Sequence, residues 1–317
     1  MILSASRRTD LPHYYSKWFY NRIREGFVLV RNPRNPHSVG RIRLSPDVVD
    51  CIVFWTKDPE NMLPGLDELK DYDFYFQFTL TPYGKEIEPG MADKKRILET
   101  FRTLSARIGK DRVVWRYDPV LLTGEYTVER HREAFAELAR ALAGCTDTCV
   151  ISFLDLYRNT ETSFARMGLR PAERADMESL AASFSRAARS FGIRVEACAE
   201  SADLSGFGVG RASCIDKNRI ERITDCRLDV KKDKNQRALC GCVESVDIGA
   251  YNTCPAMCRY CYANYSPGAV GGSAARHDPR SPFLTGFLRP GDSVSERRVK
   301  SLKQGQTRFP GWTDRSE

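Results

Sequence analysis

Three cysteines carry the most specific chemistry in the chain. The stretch Tyr251-Asn252-Thr253-Cys254-Pro255-Ala256-Met257-Cys258-Arg259-Tyr260-Cys261-Tyr262-Ala263-Asn264 sets Cys254, Cys258 and Cys261 at CxxxCxxC spacing, on a short loop broken by Pro and flanked by Tyr. That spacing lets three thiolates converge on three corners of a cubane while the fourth iron stays open. Iron–sulfur clusters are ordinarily held by four thiolates, so a missing fourth ligand points to a site that binds something else. The plain alternatives are a zinc knuckle or three reduced structural thiols. Structural zinc sites favour a second ligand pair, and none follows Cys261.

A second group, Cys198, Cys214, Cys240 and Cys242, precedes that loop in a segment crowded with Gly206, Gly208 and Gly210. Four thiols suffice to close a site completely, as an auxiliary 4Fe–4S cluster, a zinc site or an unligated cluster of thiols. Cys226 is a substitute ligand. Cys51, Cys145 and Cys149 fall on or beside apolar runs and are expected to pack as small hydrophobes.

The elements that must position these groups follow from periodicity. Apolar runs at 2–6, 27–30, 50–55, 73–80, 112–117, 149–153 and 193–198 read as strands. Helical patterns intervene at 14–24, 62–70, 91–108, 128–143 and 171–191. Strand, polar loop and helix recur about six times, which implies a parallel sheet flanked by helices. The expected fold is α/β, a partial or complete TIM-like (β/α) barrel with a cysteine-rich C-terminal segment. Functional residues then collect at the C-terminal ends of the strands. The candidates there are Arg7, Arg8, Asp10, Lys57, Thr79, Tyr83, Arg116, Asp118, Asp155, Glu196 and Glu200. Each has a plainer reading as a solvated or structural residue, and Asp118-Pro119 reads equally well as a turn.

CxxxCxYCYA resembles the signature of the radical S-adenosylmethionine superfamily, in the form used by its spore photoproduct lyase branch. The superfamily places this motif early, after the first barrel strand, whereas here it comes about four-fifths along the chain. Other strand ends resemble successive pieces of the same branch: Thr9-Asp10 its second strand, Phe54-Trp55-Thr56-Lys57 its third, Thr79-Leu80-Thr81 followed by Glu88-Pro89 its fourth, and Trp115-Arg116-Tyr117-Asp118-Pro119-Val120 its fifth. Ser245 to Tyr251 then resembles its first. The order, shifted as a block, implies a circularly permuted barrel in which 245–250 lies beside 2–6.

The resemblance implies a 4Fe–4S cluster on Cys254, Cys258 and Cys261 whose open iron binds the amino and carboxylate groups of S-adenosylmethionine. An electron from the cluster would cleave S-adenosylmethionine to a 5′-deoxyadenosyl radical that abstracts hydrogen from a substrate. Ser6, Arg7, Arg8, Thr9 and Asp10 would meet the cofactor, together with Tyr260. Asp10 or a backbone carbonyl nearby would take the amino group, and an Arg fork the carboxylate. Arg116 and Asp118 would face the ribose and substrate. The Gly-Gly-Glu form of the amino-group contact is absent. A flavodoxin or ferredoxin would supply electrons. As a whole the chain also resembles a bacterial family of unknown function with a C-terminal cysteine cluster.

Bulk properties bound these readings. Eleven cysteines in 317 residues, with Met1 opening directly into Ile2-Leu3-Ser4, lead to the expectation of a reducing cytoplasm rather than a disulfide scaffold. No run is long enough for a membrane helix. The net charge of +8 suits an anionic substrate, and Arg is spread along the chain rather than striped with aromatics as nucleic-acid binding favours. The expected organisation is a barrel body over 1–200, a cysteine-rich segment with the closing strand over 201–265, and a partly docked tail over 266–317. Two other functions fit the same residues: a non-catalytic iron–sulfur or zinc-binding protein, and a nucleic-acid repair lyase.

Overall fold

The computed structural model describes residues 1–154 and 167–304; Asp155, one of the strand-end candidates, lies outside the described residues. Its centre is an eight-stranded sheet: β1 Ile2–Ala5, β4 Cys51–Thr56, β5 Phe74–Thr79, β6 Val113–Val120, β7 Thr148–Phe153, β8 Arg194–Ala197, β9 Gly210–Arg211 and β10 Val246–Asp247. The order across the sheet is β10-β1-β4-β5-β6-β7-β8-β9, and every pair is parallel. The strand expected at 245–250 does lie beside the one at 2–6, with Leu3 opposite Val246 and Ser4 opposite Asp247. The complete barrel is corrected: β9 and β10 are the free edges and do not pair with each other. Each is only two residues long, too short to carry a ladder round to the other side.

Period-2 alternation divides the strands between two cores. Ile52, Phe54, Phe76, Trp115 and Ile151 pack with the helices, α2 Ser16–Glu25, α3 Lys94–Ile108, α4 Val128–Ala141 and α5 Arg174–Arg189. Phe19 of α2 meets Phe54 at 5.2 Å between ring centroids, and Trp115, Phe135 and Phe184 stack in series at 4.8 and 4.0 Å. Each such ring, fully buried, contributes roughly 1.5–3 kcal/mol. The intervening residues Ile2, Cys51, Val53, Tyr75, Val114 and Val150 face the other way, against Cys198, Cys214, Cys240 and Cys242. Those four helices thus cover one face, and the cysteine-rich segment, with its own helix Lys217–Thr224, covers the other.

Two local expectations change. The run at 27–30 is not part of the parallel sheet: β2 Phe27–Asn32 pairs antiparallel with β3 Asn35–Arg43, and β11 Ser293–Glu296 lies parallel to β3 in a separate sheet. The segment at 62–70 is a 3₁₀ helix, Glu60–Leu69, with Pro64 inside it; proline removes the amide an α-helix would need there. The C-terminal residues through Gln304 dock along the body, and Ser295 and Arg297 among them line the cavity. Trp18 Nε1 donates to Ser281 O at 2.9 Å, and Leu302 N to Asp50 Oδ2 at 2.8 Å. Phe283 and Leu284 are buried, whereas Phe287 and Leu288 are exposed.

One side chain fixes the β1–β10 pairing. Asp247 accepts from Ser4 Oγ (2.7 Å), Ser6 Oγ (2.7 Å), Arg7 N (3.0 Å) and Gly249 N (2.9 Å). Removing an acceptor that serves several buried donors leaves them unsatisfied, at about 1–3 kcal/mol each. Asp247→Ala should therefore cost about 3 kcal/mol, read as a lower urea midpoint at constant m-value. A midpoint that does not move would remove Asp247 as the fastening of that pair.

Candidate functional site

The C-terminal ends of the strands open on a cavity of about 1010 Å³. Arg7 and Arg8 after β1, Lys57 after β4, Arg116 and Asp118 on β6, and Cys261 of the cysteine loop all line it. So do Cys198, Cys214, Cys240 and Cys242. The four cysteines and Cys261 of the loop thus face one space.

The loop after β10 is held from three sides. Gly90 N donates to Ala256 O (3.1 Å) and Arg259 N to Ile87 O (3.0 Å). A Cβ at Gly90 would come within 2.7 Å of the Ala256 backbone, so only glycine allows that approach. Tyr15 OH donates to Thr253 O, Tyr262 OH to Arg7 O (3.0 Å), and Asn264 Nδ2 to Cys254 O (2.8 Å). Burial raises the proton affinity of all three thiols, and neighbouring thiols add to it at Cys254 and Cys258. Burial pushes Cys254 far up, with Asp10, Cys261 and Cys258 adding to it; burial takes Cys258 up to about 12, against the pull of Lys57. Burial also raises Cys261, while the amides of Ala263 and Asn264 donate to its sulfur and favour the thiolate. The amide of Asp10 does the same for Cys254. Sulfurs given N–H donors and neighbouring lysines suit a thiolate-bound group.

Behind Cys258 lies a charge cluster. Glu88, 1% exposed, accepts from Lys57 Nζ (2.6 Å), Lys94 Nζ (2.6 Å), Thr81 Oγ1 (2.8 Å) and Tyr260 OH (2.5 Å). Burial opposes its charge, but Lys57 and Lys94 outweigh that and hold the carboxyl at about 2. Tyr260, expected at the cofactor, thus lines the cavity with its hydroxyl tied to Glu88.

The other expected residues divide. Arg116 Nε donates to Asp118 Oδ2 (3.0 Å), and its Nη1 to Gln77 Oε1 (3.2 Å) and Cys214 Sγ (2.9 Å). Ser152 Oγ donates to Asp118 Oδ1. Arg8 lies over the ring of Tyr251 at 5.1 Å and reaches Gly249 O at 3.3 Å, beside the cysteine loop. Arg7 instead lies over Trp55 at 5.3 Å, with Cys242 and Cys214 favouring its charge and its Nη2 buried without a partner. Asp10 spends both carboxylate oxygens on backbone, from His13 N (3.0 Å) and Lys57 N (2.8 Å). Ser6 is buried on Asp247, and Thr9 Oγ1 is buried without a partner.

Cys198 Sγ stands 3.4 Å from Cys214 Sγ; Cys214 is hydrogen-bonded in turn to Cys242, and Cys242 to Cys240. That last contact lowers Cys240 to about 7. Cys226 stands outside this row: neither its contacts nor those of the four bring it in. Among the described residues, no three or more His, Cys, Asp or Glu side chains form a ready cage round a single metal ion.

Sequence reading passed over Gln77, Asp247 and the Glu88–Lys94 pair. Gln77 in an otherwise apolar strand was the one visible signal, since a polar residue buried there needs a partner. Over residues 2–263 the chain matches the family model described as a domain of unknown function, DUF1848, and so belongs to that family. No curated protein and no solved structure matches it.

Glu88 gives a signed pH dependence. Its folded pKa lies below the ordinary 4.5, so its stabilisation is complete above that value and is lost as pH falls toward 2. The shift corresponds to roughly 3 kcal/mol. Glu88→Gln should lose about that much at pH 7 in urea unfolding, and the gap to the parent should close between pH 4.5 and 2. A gap independent of pH would assign the loss to packing instead.

Proposed function

We propose that this member of the DUF1848 family is a radical S-adenosylmethionine enzyme. One observation carries the reading: the CxxxCxxC loop leaves a strand paired in parallel with β1, with Cys261 in the cavity at the C-terminal ends of the sheet, Cys254 beside Asp10 and Cys258 beside Lys57. The order β10-β1-β4-β5-β6 matches the block-shifted order that the strand-end resemblances imply, and supports a permuted partial barrel. Cys254, Cys258 and Cys261 would hold a 4Fe–4S cluster. When bound, it supplies an electron to S-adenosylmethionine and so a 5′-deoxyadenosyl radical for hydrogen abstraction.

The chain's own groups have separable tasks. The amides of Asp10, Ala263 and Asn264 stabilise thiolate sulfur. Lys57, set between Glu88 and Cys258, offsets negative charge at the loop. Arg8, beside Tyr251, is placed to fork onto a carboxylate, whereas the Asp10 carboxylate positions the loop's surroundings through Lys57 N and His13 N. Arg116 and Asp118 orient each other on the cavity wall, where Asp118 can accept from a hydroxyl. The cationic lining of Arg7, Arg8, Arg31 and Arg34 suits an anionic substrate. A one-electron donor of the flavodoxin or ferredoxin class completes the system.

The test is anaerobic reconstitution with iron and sulfide, reduction by dithionite and addition of S-adenosylmethionine. The expected result is a change in the EPR spectrum on adding the cofactor, with 5′-deoxyadenosine formed. Cys254→Ala, Cys258→Ala and Cys261→Ala should each reduce its formation at least a hundredfold, about 3 kcal/mol or more, while keeping the far-UV circular dichroism. A reconstituted cluster indifferent to S-adenosylmethionine would make this a non-catalytic iron–sulfur protein.

A further inference from the structure

The four remaining cavity cysteines come from three separate places in the chain. Cys198 follows β8, Cys214 follows β9, and Cys240 and Cys242 precede β10. They therefore sit where the chain leaves one edge of the open sheet and enters the other. The two segments touch: Val243 N donates to Ile215 O at 3.2 Å and Ile215 N to Cys242 Sγ at 3.3 Å. A Cβ at Gly241 would come within 2.4 Å of Ser213 Oγ. No strand pairing joins these edges.

We propose that Cys198, Cys214, Cys240 and Cys242 hold a second, tetrathiolate metal centre that clamps the open seam of the sheet and faces the same cavity as the CxxxCxxC loop. Four thiols are a complete donor set for zinc or for a closed iron–sulfur cluster. The four thiols pack against the apolar face of the sheet, yet two of them receive donors that suit a thiolate. A guanidinium, Arg116 at 6% exposure, donates to Cys214 Sγ at 2.9 Å, and an amide donates to Cys242 Sγ. Donors of this kind orient metal-bound sulfur and tune its charge. Arg7 adds a second guanidinium beside Cys242, with Nη2 unpartnered. By contrast the Cys51 thiol, equally buried, reaches only the carbonyl of Ile52. The four sulfurs stand in a row of thiol–thiol contacts. Deprotonated, they repel one another, so a cation is what would hold them together. The cavity supplies the entry path a metal needs.

This centre is independent of the S-adenosylmethionine reading, and the experiment keeps the two apart. The full chain carrying Cys254→Ala, Cys258→Ala and Cys261→Ala is purified without reconstitution, and zinc, iron and acid-labile sulfide are counted. About one zinc, or about four irons with matching sulfide, is expected to remain per chain; the count tells the ion from the cluster. Adding Cys242→Ser should reduce that metal to background. Because this variant could unfold, thiol alkylation of the parent protein is mapped before and after chelation. Cys198, Cys214, Cys240 and Cys242 should resist iodoacetamide until the metal is stripped. A metal-free triple variant, metal that survives Cys242→Ser, or four thiols equally reactive before and after chelation would each overturn the proposal.

Discussion

The parallel pairing of β1 with β10 is the constraint on which the rest of the molecule depends. It brings together side chains 243 residues apart, and closing a loop of that length costs about 5 kcal/mol in chain entropy. A two-residue strand cannot offset that with ladder hydrogen bonds alone. The Asp247 carboxylate supplies the difference by accepting from two hydroxyls and one amide across the junction, and from Gly249 N on its own side. Because the cysteine loop begins seven residues beyond Asp247, its thiols go where that pairing sends them.

What surrounds the loop is an electrostatic arrangement as much as a packing one. Buried carboxylates and lysines are stable only when matched, and Glu88, Lys57 and Lys94 match one another directly behind Cys258. The same cluster fixes Tyr260. Substituting Glu88 alone would leave two lysines without their carboxylate, so the loop's foundation and the charge beside its thiols are one device. Elsewhere in the cavity lining, Arg116 links β5, β6 and Cys214. The cavity is lined by sulfur from both groups, with Lys57 near the loop and Arg7 and Arg116 beside the four cysteines.

Most of the main sheet was legible because strands buried on both faces are near-continuous apolar runs. Cys51-Ile52-Val53-Phe54-Trp55 and Phe74-Tyr75-Phe76-Gln77-Phe78 are such runs, and both are strands. The hairpin β2–β3 was half legible: Phe27 to Val30 is apolar, but Asn35 to Arg43 alternates weakly and is rich in polar residues. The two-residue edges could not be read as edges at all, since nothing local distinguishes Gly210-Arg211 from a loop.

By itself the sequence determined the α/β class, the succession of strands and helices, the two cysteine groups and the residues at the strand ends. These are local properties, set by periodicity and by residue type. Tertiary structure alone decided that the sheet stays open, that Arg7 turns to the four-cysteine wall while Arg8 turns to the loop, and that Asp10 serves the backbone. It also decided that Cys261 shares one cavity with the four-cysteine group. Those outcomes depend on which distant segments meet, and the energy that selects them, buried charge matched to buried charge and donor to acceptor, exists only once the chain has closed.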